Sequence, residues 1–244
     1  MSVLQKVAAQ KLMMWALLLL AIYPLAIIAA RLEIWHFRNS FLLFIVAALV
    51  SFAMLTMGLL KLSKGVKSES QALLVVIVVT LLPLSVMGSF VYKAQKYPFI
   101  HDISTDLVHA PQLKAAAKAR VDSDHSVEYL ASEVAQLQQN AYPQLLPLKV
   151  TQSPQAVFNA AKGLMLENGW QLMAENNQQS PFTLEASHTS LLFGFTDDLV
   201  VRIQATEDGA VVDMRSMSRV GKSDMGANAQ RIQRFLTDLA NGLK

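Results

Sequence analysis

The sequence predicts an α+β protein: three N-terminal transmembrane helices, then a soluble domain with a four-stranded antiparallel sheet that helices cover on one face. Three observations carry this reading. Residues 12–30, 41–60 and 72–92 contain no Asp, Glu, Lys, Arg or His, and each run is close to the about 20 residues a helix needs to cross a bilayer. Only 16% of the chain is charged, against roughly 25% in an ordinary soluble domain. Beyond residue 145 the pattern changes to a helix, four strands and a helix, the order of an α+β layer.

The chain divides into a membrane anchor over 1–96, a connector with one helix over 97–142 and an α+β domain over 143–244. The first apolar run follows Lys6 and Lys11 and resembles a signal peptide. At 19 residues it exceeds the usual h-region of about 7–15, so it is read as retained. Tyr23-Pro24 and Pro83 are expected to bend the spans that hold them. Trp15, Trp35 and Tyr92 sit near span ends, where aromatic residues meet the headgroups. Lys6, Lys11, Lys61, Lys64 and Lys67 fall on one side of the membrane, and Arg31, Arg38, Lys93 and Lys96 on the other. That bias favours an inner (plasma) membrane protein with its N-terminus inside and its C-terminal domain periplasmic. The polar groups within the spans are Ser51, Thr56, Thr80, Ser85 and Ser89, none ionisable. Anchoring is therefore favoured over transport, which draws on ionisable residues or broken helices.

In the connector, His101 to Asp106 and Ala110-Pro111 read as irregular chain, and Lys114 to Arg120 is rich in Ala. Val127, Leu130, Ala131, Val134 and Leu137 recur at helical spacing and predict a helix over 126–139. Ser153-Pro154 then supplies an N-cap with Pro in the first turn, and Asn168-Gly169 a stop. Residues 170–175, 182–190, 197–206 and 210–218 predict the strands. A last helix starts near Ser223, buries Ile232, Phe235, Leu236 and Leu239, and ends at Asn241-Gly242.

Asp208-Gly209 predicts a two-residue hairpin turn. Pairing outward from it sets Arg202 opposite Arg215 and Asp198 opposite Arg219. Leu199, Val201, Ile203, Val212 and Met214 then face the core, while Asp198, Arg202, Gln204, Asp213, Arg215 and Arg219 face water. If Phe193-Gly194 turns the preceding hairpin, Glu185 lands beside Arg202. Like charges directly opposite cost on the order of 0.2–1 kcal/mol. The arginines therefore call either for carboxylates beside them, with Glu185, Asp198 and Asp213 forming a surface ion-pair lattice, or for an anion.

Residues 1–96 carry a net charge of +7, while residues 97–244 carry −4. The part that folds in water is acidic, which disfavours nucleic acid as a partner. The absence of Cys removes disulfides, thiolate nucleophiles and Cys-ligated metal. No H-E-x-x-H pattern accompanies His101, Asp102, Asp106 and His109, so neither metal nor cofactor is predicted. Catalytic signals are equally thin. Ser216, Ser218 and His188 fall on the apolar side of the sheet, and no G-x-S-x-G elbow occurs. Asp197 and Asp198, adjacent in a strand, point to opposite faces.

The stretch from Arg215-Ser-Met-Ser-Arg219 through Gly221, Ser223, Asp224, Gly226 and Asn228 to Arg231 closely resembles the signature of the DUF1499 family. So do His188 to Asp198, with Phe195-Thr-Asp197-Asp198 at its end, and His101-Asp-Ile-Ser-Thr-Asp106. The resemblance implies an exported or membrane-tethered domain of unknown function and supplies no catalytic residues. Physically, Gly221 permits a tight turn, Ser223 or Asp224 caps the helix, Asn228 bonds within the turn, and Gly226 admits a close neighbour. The expected function is binding of an anionic ligand or an envelope protein through Arg202, Arg215 and Arg219, with Asp198, Glu185, Ser223, Asp224 and Asn228 around them. A structural or assembly role in the envelope is the alternative, and an uncharacterised hydrolase a further one.

Overall fold

The structure, a computed structural model, describes residues 3–32, 34–63 and 70–244, with side chains described from residue 8 onward. Two compact units emerge: Met1–Tyr92 together with Leu191–Gly194, and Lys93–Ser190 together with Phe195–Lys244.

The first unit holds α1 (Val3–Arg31), α2 (Phe37–Ser63) and α3 (Ser70–Lys96), α3 running its last turn beyond the unit. All three are long and apolar enough to cross a membrane. They outlast the charge-free runs because Arg31, Lys61, Lys93 and Lys96 continue the helices at their ends. Helix α1 runs through Pro24 and α3 through Pro83. Ala16, Met54 and Val76 meet in a buried cluster, one from each helix. Gly58 of α2 faces Val76 and Ile77 of α3. The Tyr23 and Ser51 hydroxyls bond at 2.9 Å between α1 and α2. Thr56, Thr80, Ser85 and Ser89 donate back to carbonyls of their own helices. Leu42, Leu49, Phe52, Val78 and Leu82 remain exposed, an apolar surface suited to hydrocarbon. Of the charges used for orientation, the side chain of Lys6 and residues Lys64 and Lys67 lie outside the described residues.

The second unit is built on one antiparallel sheet of β1 (Asp102–Ser104), β2 (Leu148–Val150), β3 (Gln171–Asn176), β4 (Phe182–Thr189), β5 (Thr196–Thr206) and β6 (Gly209–Ser218). Their order is β1-β6-β5-β4-β3, with β2 also on β6. The sheet thus has six strands rather than the expected four. The two additional strands are three residues each, too short to show alternation, and share the outer edge of β6. His101 to Asp106 is accordingly not irregular chain: it contains β1.

Four helices accompany the sheet: α4 (Lys114–Ala119), α5 (Ala131–Ala141), α6 (Pro154–Glu167) and α7 (Ala227–Gly242). Helix α6 starts as its sequence predicts, with the Ser153 hydroxyl accepting from Ala156 N at 3.3 Å, and Gly169 at φ 69° follows its end. Helix α5 begins at Ala131 rather than Ser126. Gln138 on α5 bonds both backbone groups of Ser104, closing the outer edge of β1 against further pairing. The stripes of α6 and α7 (Val157, Phe158, Ala161, Met165, Ile232, Phe235, Leu239) bury against Leu184, Leu199, Val201, Ile203, Val212 and Met214. Each of these side chains larger than Ala contributes roughly 1.5–3 kcal/mol on burial.

Two expectations are overturned here. The hairpin loop is Glu207-Asp208, with Thr206 opposite Gly209, so Arg202 faces Asp213 and Arg215 faces Val200. Gly209 (φ 142°) serves β2 instead, because a Cβ there would lie 2.2 Å from Val150 O. The other hairpin pairs Thr189 with Thr196. Glu185 therefore lies opposite Val200, and Asp198 opposite Ser187 and Met217. Both registers shift by two residues, which keeps every side chain on its predicted face and changes its partner. Nor is the second face wet, apart from Gln204, which is exposed as expected. Leu113 and Ala116 pack on Val200 and Met217, and Glu185, Asp198, Asp213 and Arg215 are buried.

Candidate functional site

Alternation along β4, β5 and β6 sends Glu185, Asp198, Arg202, Asp213, Arg215 and Arg219 to the face that α4 and its flanking segments cover. Arg215, at 2% exposure, grips Asp102 with Nε at 2.9 Å from Oδ1 and Nη2 at 2.8 Å from Oδ2. Its remaining donors reach Pro111 O at 3.2 Å and Val127 O at 2.8 Å. The Tyr129 ring lies 5.2 Å from the guanidinium carbon. Burial, aided by the Asp102 charge, pushes the Tyr129 hydroxyl up to about 12. Arg202 donates to Asp213 at 2.7 Å, Asp106 at 2.8 Å and His109 O at 2.7 Å. Asp198, fully buried, accepts from Arg219 at 2.9 and 3.1 Å and from Arg120 at 2.8 Å. Glu185 accepts from the backbone N–H groups of Lys114, Ala115 and Ala116 at 3.1, 2.7 and 3.2 Å. That carboxylate satisfies the first donors of α4.

A second cluster closes the opposite face at the β6–α7 end. Arg231 Nη2 donates to Asp197 at 2.6 Å and to His188 Nδ1 at 3.1 Å, and Nη1 to the Ser216 hydroxyl at 3.0 Å. Asn228, fully buried, receives the Ser216 hydroxyl at 2.6 Å and donates to His101 O and Ser218 Oγ, each at 3.0 Å. Helix α7 starts at Ala227 rather than near Ser223, with Gly226 (φ 80°) at the N-cap position, and Asp224, two residues ahead of it, accepts from Gly226 N at 2.8 Å and Asn228 N at 3.0 Å. Burial pushes its carboxyl up to about 6 against those two bonds, with the Asp197 charge adding to the rise. Gly221 turns at φ 89°, as predicted. The close neighbour that Gly226 admits is Tyr97, whose ring would stand 2.8 Å from a Cβ. Ser223 donates to Pro98 O at 3.4 Å and accepts from Met225 N at 3.2 Å.

His188 is half-buried. Burial and the Arg231 charge push its pKa down, opposed by Asp197. A guanidinium only donates, so Nδ1 is the acceptor and the ring is neutral. The folded domain thus binds this proton more weakly than the unfolded chain does. The His188 contribution is intact above about 6.5 and is lost as pH falls below it. Between pH 7 and 5 the wild type should lose more thermal stability than His188→Gln, compared by melting at matched pH.

The predicted site residues therefore do not form one site. Arg202, Arg215, Arg219, Asp198 and Glu185 lie on the covered face, while Asp224 and Asn228 hold the start of α7, with Ser223 in the turn before it. Asp213 does serve an arginine, as the lattice reading expects, while sequence reasoning missed Arg120, Asp102 and Asp106 as partners, and Arg231, paired with Asp197, beside Asn228. The available signal was compositional, since a buried Arg requires a nearby carboxylate. Among the described residues no group of three or more His, Asp or Glu could hold a metal ion. An open groove of about 930 Å³ between α4 and β3 is lined by Lys114, Lys118, Gln171, Met173 and Glu175, and by none of the layer arginines.

These features define a class: an α+β domain with an ion-paired second face, attached to three apolar helices. The chain belongs to the DUF1499 family, described as "Protein of unknown function (DUF1499)", which matches residues 102–239, more than half its length. No curated relative matches it. Among solved structures it is similar to the vertebrate conserved region of human METTL16, at 13% identity, covering 44% of this chain and 89% of that one, with a TM-score of 0.27.

Proposed function

We propose that the protein is a multi-pass component of the inner (plasma) membrane with a periplasmic C-terminal domain of structural or assembly role. The signature residues, on this reading, hold the domain together rather than a ligand. One observation carries it: Arg120, Arg202, Arg215, Arg219 and Arg231 are all ion-paired within the domain, to Asp198, Asp106, Asp213, Asp102 and Asp197. On the covered face four guanidinium groups meet four aspartates and Glu185, and on the other face Arg231 is matched by Asp197, so neither cluster has surplus positive charge to draw an anion. The excess of Lys and Arg on the N-terminal side supports the orientation, and a fusion of alkaline phosphatase to residue 244 should be active in periplasm-containing cells.

The competing reading, capture of an anion or acidic partner through Arg202, Arg215 and Arg219, draws on Arg219, the most exposed of the three at 20%. Arg219→Glu separates them. The structural reading expects it to destabilise the domain by about 1–3 kcal/mol in urea unfolding, as disruption of a buried ion-pair network does. Unchanged stability with lost capture of envelope proteins would establish the binding reading instead.

A further inference from the structure

The β4–β5 hairpin ends in a segment with no charge at all, Ser190-Leu-Leu-Phe-Gly-Phe195. Its base is closed by Ser190 N donating to Phe195 O at 2.8 Å and Phe195 N to Ser190 Oγ at 3.0 Å. Leu191 is 85% exposed and Leu192 45%, although both are large and apolar. Hairpin tips in water are ordinarily polar and rich in Asn, Asp and Gly. The four residues Leu191–Gly194 belong to the unit of α1, α2 and α3.

Within that unit the tip has a definite level. Phe193, 3% exposed, stands edge-on to Phe41 and Phe44 at 5.7 and 5.6 Å between ring centroids. Arg31 Nη1 donates to Leu191 O at 2.5 Å. Arg31 closes α1, and Phe41 and Phe44 lie in the first two turns of α2. Trp35 and Arg38 occupy the same region, and Trp and Arg are residues that mark the boundary between hydrocarbon and headgroups. An apolar tip at that boundary has one occupant available that is already part of the protein's surroundings, the lipid itself.

We propose that Leu191 and Leu192 insert into the interfacial layer of the bilayer at the level of Arg31, Trp35 and Arg38, making the segment Leu191–Gly194 a membrane contact additional to the three helices. Two leucines moved from water into that layer act as a shallow interfacial anchor. The proposal rests on the reading of α1, α2 and α3 as membrane spans.

The chain has no Cys, so single-cysteine variants of the full-length protein can be labelled without background. Leu191→Cys, Leu192→Cys, Val108→Cys and Leu82→Cys would each carry an environment-sensitive fluorophore in phosphatidylcholine–phosphatidylglycerol vesicles containing nitroxide-labelled lipid. Val108 is 77% exposed in the second unit, and Leu82, 62% exposed on α3, reports on a span. The expected result is strong quenching at 191 and 192 by nitroxide near the headgroup and weaker quenching by nitroxide deep in the acyl chain. Leu82 should show the reverse, and Val108 neither. If 191 and 192 behave like 108 while 82 is quenched, the spans stand and the proposal fails. Fluorophores at 191 and 192 shielded from aqueous iodide yet not quenched by lipid would show a protein surface there, which also overturns it. Lack of quenching at 82 would remove the membrane reading and this inference with it.

Discussion

Arg215→Met should unfold the C-terminal domain under conditions where the wild type is folded. The substitution keeps much of the volume and the apolar stem, so packing changes little. What it removes is the partner of Asp102, leaving a carboxylate at 3% exposure, as well as the donors to Pro111 O and Val127 O. Breaking one side of a buried ion pair costs about 3–5 kcal/mol, because the surviving charge stays desolvated. A domain's whole stability is about 5–15 kcal/mol. Loss of amide hydrogen-exchange protection along β6 and β1 would report the effect directly. Asp102→Leu should be comparably damaging, and the double variant Asp102→Leu/Arg215→Met should recover much of the loss, since neither charge remains. Additive losses in the double variant would mean the two side chains are not energetically coupled. The ionic layer would then have some role other than closing the fold.

The sequence carried the sheet's faces well and its partners poorly, for one physical reason. A period of two fixes which residues share a face, so Leu199, Val201, Ile203, Val212 and Met214 were identifiable as core from alternation alone. Register depends on where the turn sits, and Asp208-Gly209 is an ambiguous marker. The same glycine that suits a turn also suits the close passage of β2, and the latter is its role. The error of two residues turned an Arg–Arg opposition into Arg202 against Asp213, although Asp198 and Arg219, expected opposite each other, still meet as an ion pair.

The second face was misread for a different reason. A run of charged residues on one side of a strand looks solvated when only local pattern is considered. Its burial depends on a segment some hundred positions earlier, as in the pair of Arg215 with Asp102. No periodicity signals such a contact. Strands β1 and β2 were invisible on the same ground, since three residues each have no pattern of their own. The helix boundaries at Ser153-Pro154 and Asn168-Gly169, by contrast, are purely local chemistry and were legible.

Asp198→Ala should be as costly as any substitution in the layer, and it tests what the arginines are for. Asp198 is fully buried and serves two guanidinium groups, Arg120 and Arg219. Removing it leaves two positive charges facing each other around an emptied site, so a loss of about 3–5 kcal/mol is expected. Arg120→Met or Arg219→Met alone should cost less, because Asp198 keeps one partner in either case. The vacated space is the size of a small carboxylate. Formate in millimolar excess should therefore raise the denaturation midpoint of Asp198→Ala, as a ligand binding only the folded state does, and leave the wild type unchanged. A gain in the wild type of the same size would mean that the arginines accept an external anion even with Asp198 present. The structure gives the opposite expectation, because the anion these residues recognise is already supplied by the chain: aspartates of the sheet and of the segment folded over it.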